Sequence, residues 1–154
     1  MKNKRFKEKI EKYLKRQFGV TIDSASKRQV YEALMSTIRE DLSEKKFAYE
    51  QELKKTRQKR AYYMSMEFLV GRTLRNNLFN LDLEKDVREY FADNGISLDE
   101  IYDIEPDPGL GNGGLGRLAS CYLDALTSSD YPVTGFSILY EYGIFKQVIN
   151  NGWQ

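Results

Sequence analysis

The sequence predicts an α/β fold on three observations: apolar residues at helical spacing through the first half, a short apolar and aromatic run at 60–71, and a glycine-dense segment at 105–116 that feeds another amphipathic helix. A length of 154 residues with 41% hydrophobic side chains suits one domain with a core. The net charge of +1 hides an asymmetry, because residues 1–60 carry 18 Lys and Arg against 9 Asp and Glu, whereas 61–154 carry 6 against 14. Charge and pattern therefore divide the chain into a basic helical region, 1–59, and an α/β region, 60–154, that contains the glycine loop 109–116.

Phe6, Ile10, Tyr13, Leu14 and Phe18 recur at helical spacing among Lys and Arg, and Gly19 supplies a stop. Ser24 or Ser26 can cap a second helix whose core face is Val30, Tyr31, Leu34, Ile38 and Leu42, running to about Lys45. Residues 47–59 are polar and basic, a further helix or a connector. Arg60 to Gly71 reads as a buried strand, with Glu67 as its anomaly. A lone carboxylate is costly to bury, so Glu67 needs a partner such as Arg72 or a polar site at the strand's carboxyl end. Arg72–Leu81 and Glu84–Asp93 follow as short helices, the second stopped at Asn94-Gly95, with a small third one starting at Ser97. After the glycine loop, Leu115, Leu118, Ala119, Tyr122, Leu123 and Leu126 mark an amphipathic helix. Val133–Tyr142 and Ile144–Ile149 then read as two strands joined by a tight turn at Gly143.

Composition also narrows the chemistry. There is no histidine, so imidazole catalysis and the commonest metal ligand are both absent. Cys121 stands alone, which fits a reducing, cytoplasmic setting and leaves no expected metal site. No run approaches the roughly 20 apolar residues of a membrane span. The basic first helix is read as a solvated face packed on the rest of the protein, so neither a membrane nor a nucleic acid is an expected partner.

Gly111-Asn-Gly-Gly-Leu-Gly116 satisfies G-x-G-x-x-G, yet the residues before it, Asp103-Ile-Glu-Pro-Asp-Pro108, cannot form the strand a dinucleotide site requires. A dinucleotide-dependent oxidoreductase is thus the weaker alternative. Glycines before a helix let backbone N–H groups approach a ligand at the positive end of the helix dipole, which makes an anion cradle with Arg117 as an available counter-charge. A turn that merely lets the helix pack closely is the plainer possibility.

Asp107-Pro-Gly-Leu-Gly-Asn-Gly-Gly-Leu-Gly-Arg-Leu-Ala-Ser-Cys-Tyr-Leu-Asp-Ala-Leu126 resembles the glycine loop and helix of the glycogen, starch and maltodextrin phosphorylases. Tyr62–Leu78 resembles that family's first strand and following helix, and Tyr140–Gln147 with Gly152-Trp-Gln154 resembles its next block. The resemblance implies a two-domain α/β glycosyltransferase, of which this chain would be the N-terminal part, with an incomplete parallel sheet and flanking helices. It implies pyridoxal 5′-phosphate as cofactor, its lysine lying outside these residues, and α-1,4-glucan and inorganic phosphate as substrates, giving glucose 1-phosphate. It implies that Gly113 and Gly114 face a phosphate, that Asn112 and Leu115 position the glucosyl unit, and that Glu67 supports the same region by ordering its cationic groups. A homodimer is implied for the full-length protein and inactivity for the fragment. Regulation by an N-terminal phosphoserine is not expected, since no serine precedes Ser24. A non-catalytic glucan-binding or interaction module, stacking sugars on Trp153 and tyrosines, is the third alternative.

Overall fold

The computed structural model describes residues 2–141, 144 and 148–153, with side chains from residue 5 onward. It is helix-dominated, with a small parallel two-stranded sheet, and it divides into two compact units. The first comprises Met1–Glu52 and Arg72–Pro106, the second Leu53–Gly71 and Asp107–Gln154.

The first unit is built on helix α1, Lys2–Phe18, and most of helix α2, Lys27–Thr56. Phe6, Ile10 and Leu14 form one inward stripe of α1, and Val30, Leu34 and Ile38 the matching stripe of α2. Gly19 closes α1 in the left-handed conformation at φ +68°, its N–H donating to the Lys15 carbonyl. Of the two candidate caps, Ser26 is the one used. Its Oγ accepts the Gln29 N–H while Gln29 Oε1 accepts the Ser26 N–H at 2.8 Å, a reciprocal capping box. Lys9 bridges the two helices through Asp41 at 2.6 Å and Glu40 at 3.1 Å.

Helix α2 does not end near Lys45 as expected but runs on to Thr56. Residues 45–56 hold Lys, Glu, Gln, Ala and Leu without a glycine or proline, so no residue there favours a stop. Leu42, expected on the core face, is exposed instead.

Three short helices complete the first unit: α3 (Leu74–Asn80), α4 (Glu84–Asp93) and α5 (Leu98–Tyr102). They contribute Leu74, Leu78, Val87, Phe91, Leu98 and Ile101 to the same core. Gly95, at φ +70°, ends α4 as its sequence suggests, and Ile96 N–H returns to the Phe91 carbonyl. Arg88 holds Asp99 through two hydrogen bonds of 2.9 and 3.1 Å, a fork on carboxylate that depresses the Asp99 carboxyl below its usual range.

The second unit contains strand β1 (Ala61–Met64), helix α6 (Gly114–Ser128) and strand β2 (Val133–Phe136). The strands pair in parallel, Ala61 opposite Val133 and Met64 opposite Phe136. Gly135 lies where side chains crowd the sheet: a Cβ there would come within 2.9 Å of Leu123 and 3.1 Å of Phe68.

Two strand expectations are corrected here. The run 60–71 is a strand only over 61–64, and it is not buried, since Tyr62 and Met64 are exposed. No second sheet or helix covers both faces among the described residues, so the apolar run has the composition of a buried strand without its burial. The run 133–142 is a strand only to Phe136, and Val148 and Ile149 are irregular. The proposed turn at Gly143 lies outside the described residues.

Candidate functional site

Beyond β1 the backbone leaves the ladder at Ser65, whose N–H still donates to the Phe136 carbonyl at 3.0 Å. Ser65 Oγ then donates to the Glu67 carbonyl at 2.8 Å, a local turn that fixes the next three residues. Those residues run beside the glycine loop. Phe68 N–H donates to the Leu110 carbonyl at 2.7 Å and Leu69 N–H to the Gly116 carbonyl at 3.0 Å.

Glu67 is therefore not in the strand, and Arg72 is not its partner. The Arg72 guanidinium donates to Asp103 at 3.2 Å and to the Tyr102 carbonyl. The half-buried Glu67 carboxylate reaches backbone instead: Oε2 accepts the Asn112 N–H at 3.0 Å and Oε1 the Gly116 N–H at 3.2 Å. Its ordering influence thus falls on amides of the loop, with no cationic side chain bonded to it among the described residues.

This pairing sorts the glycines of the loop by task. A Cβ at Gly111 would sit 2.5 Å from Leu69 N and 2.7 Å from Phe68 C, and one at Gly116 would meet Glu67 Cδ and Cγ at 3.0 Å. Both positions lie against the 67–69 segment; Gly111 has no room for a side chain, and at Gly116 one would fit only if Glu67 gave way. Gly113 and Gly114 differ. A Cβ on Gly113 would be 3.5 Å from Glu67 Oε1, and one on Gly114 would meet nothing within 4 Å. At these two positions packing alone does not demand glycine.

Helix α6 begins here, with Gly113 as its N-cap in an extended conformation and the Gly113 carbonyl accepting the first helical hydrogen bond, from Arg117 N–H at 3.0 Å. Gly113 has no side chain with which to cap this end, and Glu67 takes only the Gly116 N–H. Among the described residues nothing accepts from the N–H groups of Gly113, Gly114 and Leu115, so three successive donors stand at the positive end of a 15-residue helix. Such a row can bind an anionic or carbonyl oxygen. The side chains of Asn112 and Leu115 are exposed beside it, as is Arg117. No strand leads into the loop, so the preceding element of a dinucleotide site is missing among the described residues.

At the carboxyl ends of the paired strands, Met64, Ser65, Met66, Phe136, Ser137 and Ile138 line an open cleft of about 320 Å³. The carboxyl ends of parallel strands are where open α/β sheets place ligands. Ser137 Oγ and Tyr140 OH both donate to the Met66 carbonyl, at 3.0 and 2.9 Å, holding the segment just before Glu67. Sequence reasoning did not single out Ser65, Ser137 or Tyr140 for this task. Only the Ser65-x-Glu67 spacing carried a local signal, that of a hydroxyl turn.

Among the described residues no group of carboxylates and Cys121 is arranged to hold a metal, and no helix is long and apolar enough to cross a membrane.

Residues 91–154 match the family model described as carbohydrate phosphorylase. Over 134 residues, 87% of this chain, the sequence is 43% identical to a glycogen phosphorylase of Chlamydia trachomatis. It is 45% identical to a glycogen phosphorylase of Synechocystis and 44% identical to the human liver form, each over 84% of this chain. The matched stretch covers 16%, 15% and 15% of those three proteins, so the chain spans about a sixth of the length of its curated relatives.

Proposed function

The chain belongs, along its matched residues, to the carbohydrate phosphorylases, and on that premise we propose that it forms the glycine-loop wall of an α-1,4-glucan phosphorylase releasing glucose 1-phosphate. The observation that carries this reading is the row of unaccepted N–H groups at Gly113, Gly114 and Leu115, at the start of α6. In phosphorolysis the bond from the terminal glucosyl C1 to the glucan oxygen breaks, a bond from C1 to a phosphate oxygen forms, and the released glucan oxygen takes a proton. Negative charge on phosphate oxygens must be held throughout. Backbone donors fixed in advance do this without reorganising, which is the economical form of electrostatic catalysis.

In this reading the Gly113 and Gly114 N–H groups bind a phosphate, and the lack of a Cβ lets its oxygens approach the backbone. Asn112 and the Leu115 N–H position the transferred glucosyl unit, and Glu67 supports the loop. The same donor set suits the phosphate of pyridoxal 5′-phosphate, an anion needing several N–H partners at a helix start. When bound, that cofactor supplies a phosphate group able to give and take a proton beside the substrate. Two α/β domains, a homodimer and a cytoplasmic setting belong to the same proposal, as does inactivity of the 154 residues alone, since they hold only 15–16% of the relatives' length.

The test is glucose 1-phosphate formation from maltodextrin and inorganic phosphate by a protein carrying this segment at the length of its relatives. Gly114→Val keeps the N–H but sets a branched side chain beside it, and should lower that rate by about a hundredfold or more, the scale of one preorganised donor denied to the ligand, with the fold kept because the site is open. A near-normal rate would overturn the loop assignment. Turnover by the 154-residue chain alone would overturn its expected inactivity.

A further inference from the structure

We propose that Glu67 is the positioning residue of the glycine loop, acting as a two-oxygen latch on the Asn112 and Gly116 N–H groups. The idea deepens the phosphate-cradle reading above and rests on it for its catalytic consequence, though not for its geometry. Loop residues 112 to 116 hold five backbone N–H groups. Glu67 takes the first and the last, at 3.0 and 3.2 Å, and the three between remain without an acceptor among the described residues. The carboxylate thus fixes both ends of the donor row while leaving its middle free. Hydrogen bonds from N–H to an ionised carboxylate are stronger than neutral ones, so this is a stiff attachment for a glycine-rich loop.

The latch is itself held in place. Ser65 Oγ donates to the Glu67 carbonyl, and the N–H groups of Phe68 and Leu69 donate to the Leu110 and Gly116 carbonyls. The missing Cβ atoms at Gly111 and Gly116 make the room this close passage needs, with would-be contacts of 2.5 and 3.0 Å. Glutamate is the side chain the geometry specifies. Glutamine has a single acceptor oxygen, and its NH₂ cannot accept from an N–H. Aspartate keeps charge and both oxygens but falls short by one methylene, about 1.5 Å.

The deciding experiment is amide hydrogen exchange on the 154-residue chain carrying Glu67→Gln or Glu67→Asp. Glu67→Asp should speed exchange at Asn112 and Gly116, and Glu67→Gln at one of the two or both, by about tenfold or more, the scale of losing a charged hydrogen bond, while Leu78 and Phe91 N–H keep their protection. Wild-type exchange in Glu67→Asp would mean that charge alone suffices, and unchanged exchange in both variants would remove the latch altogether. Should Glu67→Gln unfold the second unit, Ser65→Ala gives the gentler probe, with a smaller acceleration expected at the same two amides and no change overturning the proposal. In a phosphorolytically active, longer protein, Glu67→Asp should lower kcat and leave KM for glucan near wild type, whereas a rise in KM alone would make Glu67 a substrate contact. Exchange is measured without phosphate or glucan, so its result stands apart from the proposed activity. A latch without phosphorolysis refutes the function alone, and phosphorolysis without a latch refutes this inference alone.

Discussion

In the first unit Ile10, Leu34 and Phe91 are fully buried, whereas in the second Met64, Leu139 and Trp153 are 83%, 92% and 81% exposed. The first unit joins five helical pieces around one continuous apolar cluster, so its order rests on area removed from water. Among its described residues the second unit places two four-residue strands, helix α6 and the last residues of α2 around few buried side chains, chiefly Leu53, Phe68 and Ala119. Its best-defined part is polar, the Glu67 carboxylate and the backbone bonds between 67–69 and 110–116. Carboxylates serve both units, but differently. Glu105, 7% exposed, accepts the N–H groups of Thr73 and Leu74 and closes the start of α3, a structural cap with its donors consumed. Glu67 occupies the flanking donors of its loop and leaves the central ones open. One region spends its polar bonds on closure; the other keeps donors available.

The largest test of this contrast is core truncation. Phe91→Ala should cost about 3–5 kcal/mol of unfolding free energy, whereas Leu139→Ala should stay within about 0.5 kcal/mol, both read from urea unfolding followed by circular dichroism. Similar losses at the two sites would erase the distinction between the units. Next in size, Gly111→Ala should destabilise the second unit by about 1–3 kcal/mol, because its Cβ meets backbone at 2.5 Å. Gly114→Ala, placed in open space, should leave stability within about 1 kcal/mol, and thermal unfolding of the two variants would compare them directly. Equal losses would show that the loop's glycines share one packing role.

The smallest effect is alkaline and belongs to the first unit. Burial first, and then the Glu84 carboxylate beside it, push the Tyr102 phenol up to about 12. Burial and a hydrogen bond to Glu11 raise Tyr90 as well. In the unfolded chain a phenol ionises near pH 10, so the folded state holds these protons more tightly. Their contribution is complete below about pH 10 and is lost as pH rises towards about 12. Stability followed by denaturant titration should fall across that window, and less so in Tyr102→Phe. An identical slope in the variant would deny Tyr102 its part.

The helical half was largely legible before any coordinates, because a 3.6-residue period, a glycine stop and a Ser-x-x-Gln cap are local signals that act over one or two turns. The extension of α2 to Thr56 was legible in principle from its helix formers, but few apolar anchors mark residues 45–56 as helix. The glycine loop announced itself by composition, and the helix after it by spacing. The strand lengths did not, since Arg60–Gly71 has the apolar content of a buried strand and a strand ends where its pairing partner ends.

By itself, the sequence determined where most helices start and stop, the end of α2 excepted, where backbone without side chains was needed, and to which family the matched residues belong. Tertiary structure alone decided what Glu67 and Glu105 bind. Their partners lie 45 and 49 residues away for Glu67 and 31 to 32 residues away for Glu105, and, apart from the Thr73 hydroxyl on Glu105, each is a backbone N–H that every non-proline residue carries. No residue type can advertise such a partner in sequence. Only the folded path of the chain determines which backbone amides meet the carboxylate, and hence which glycines make room and which leave a donor free.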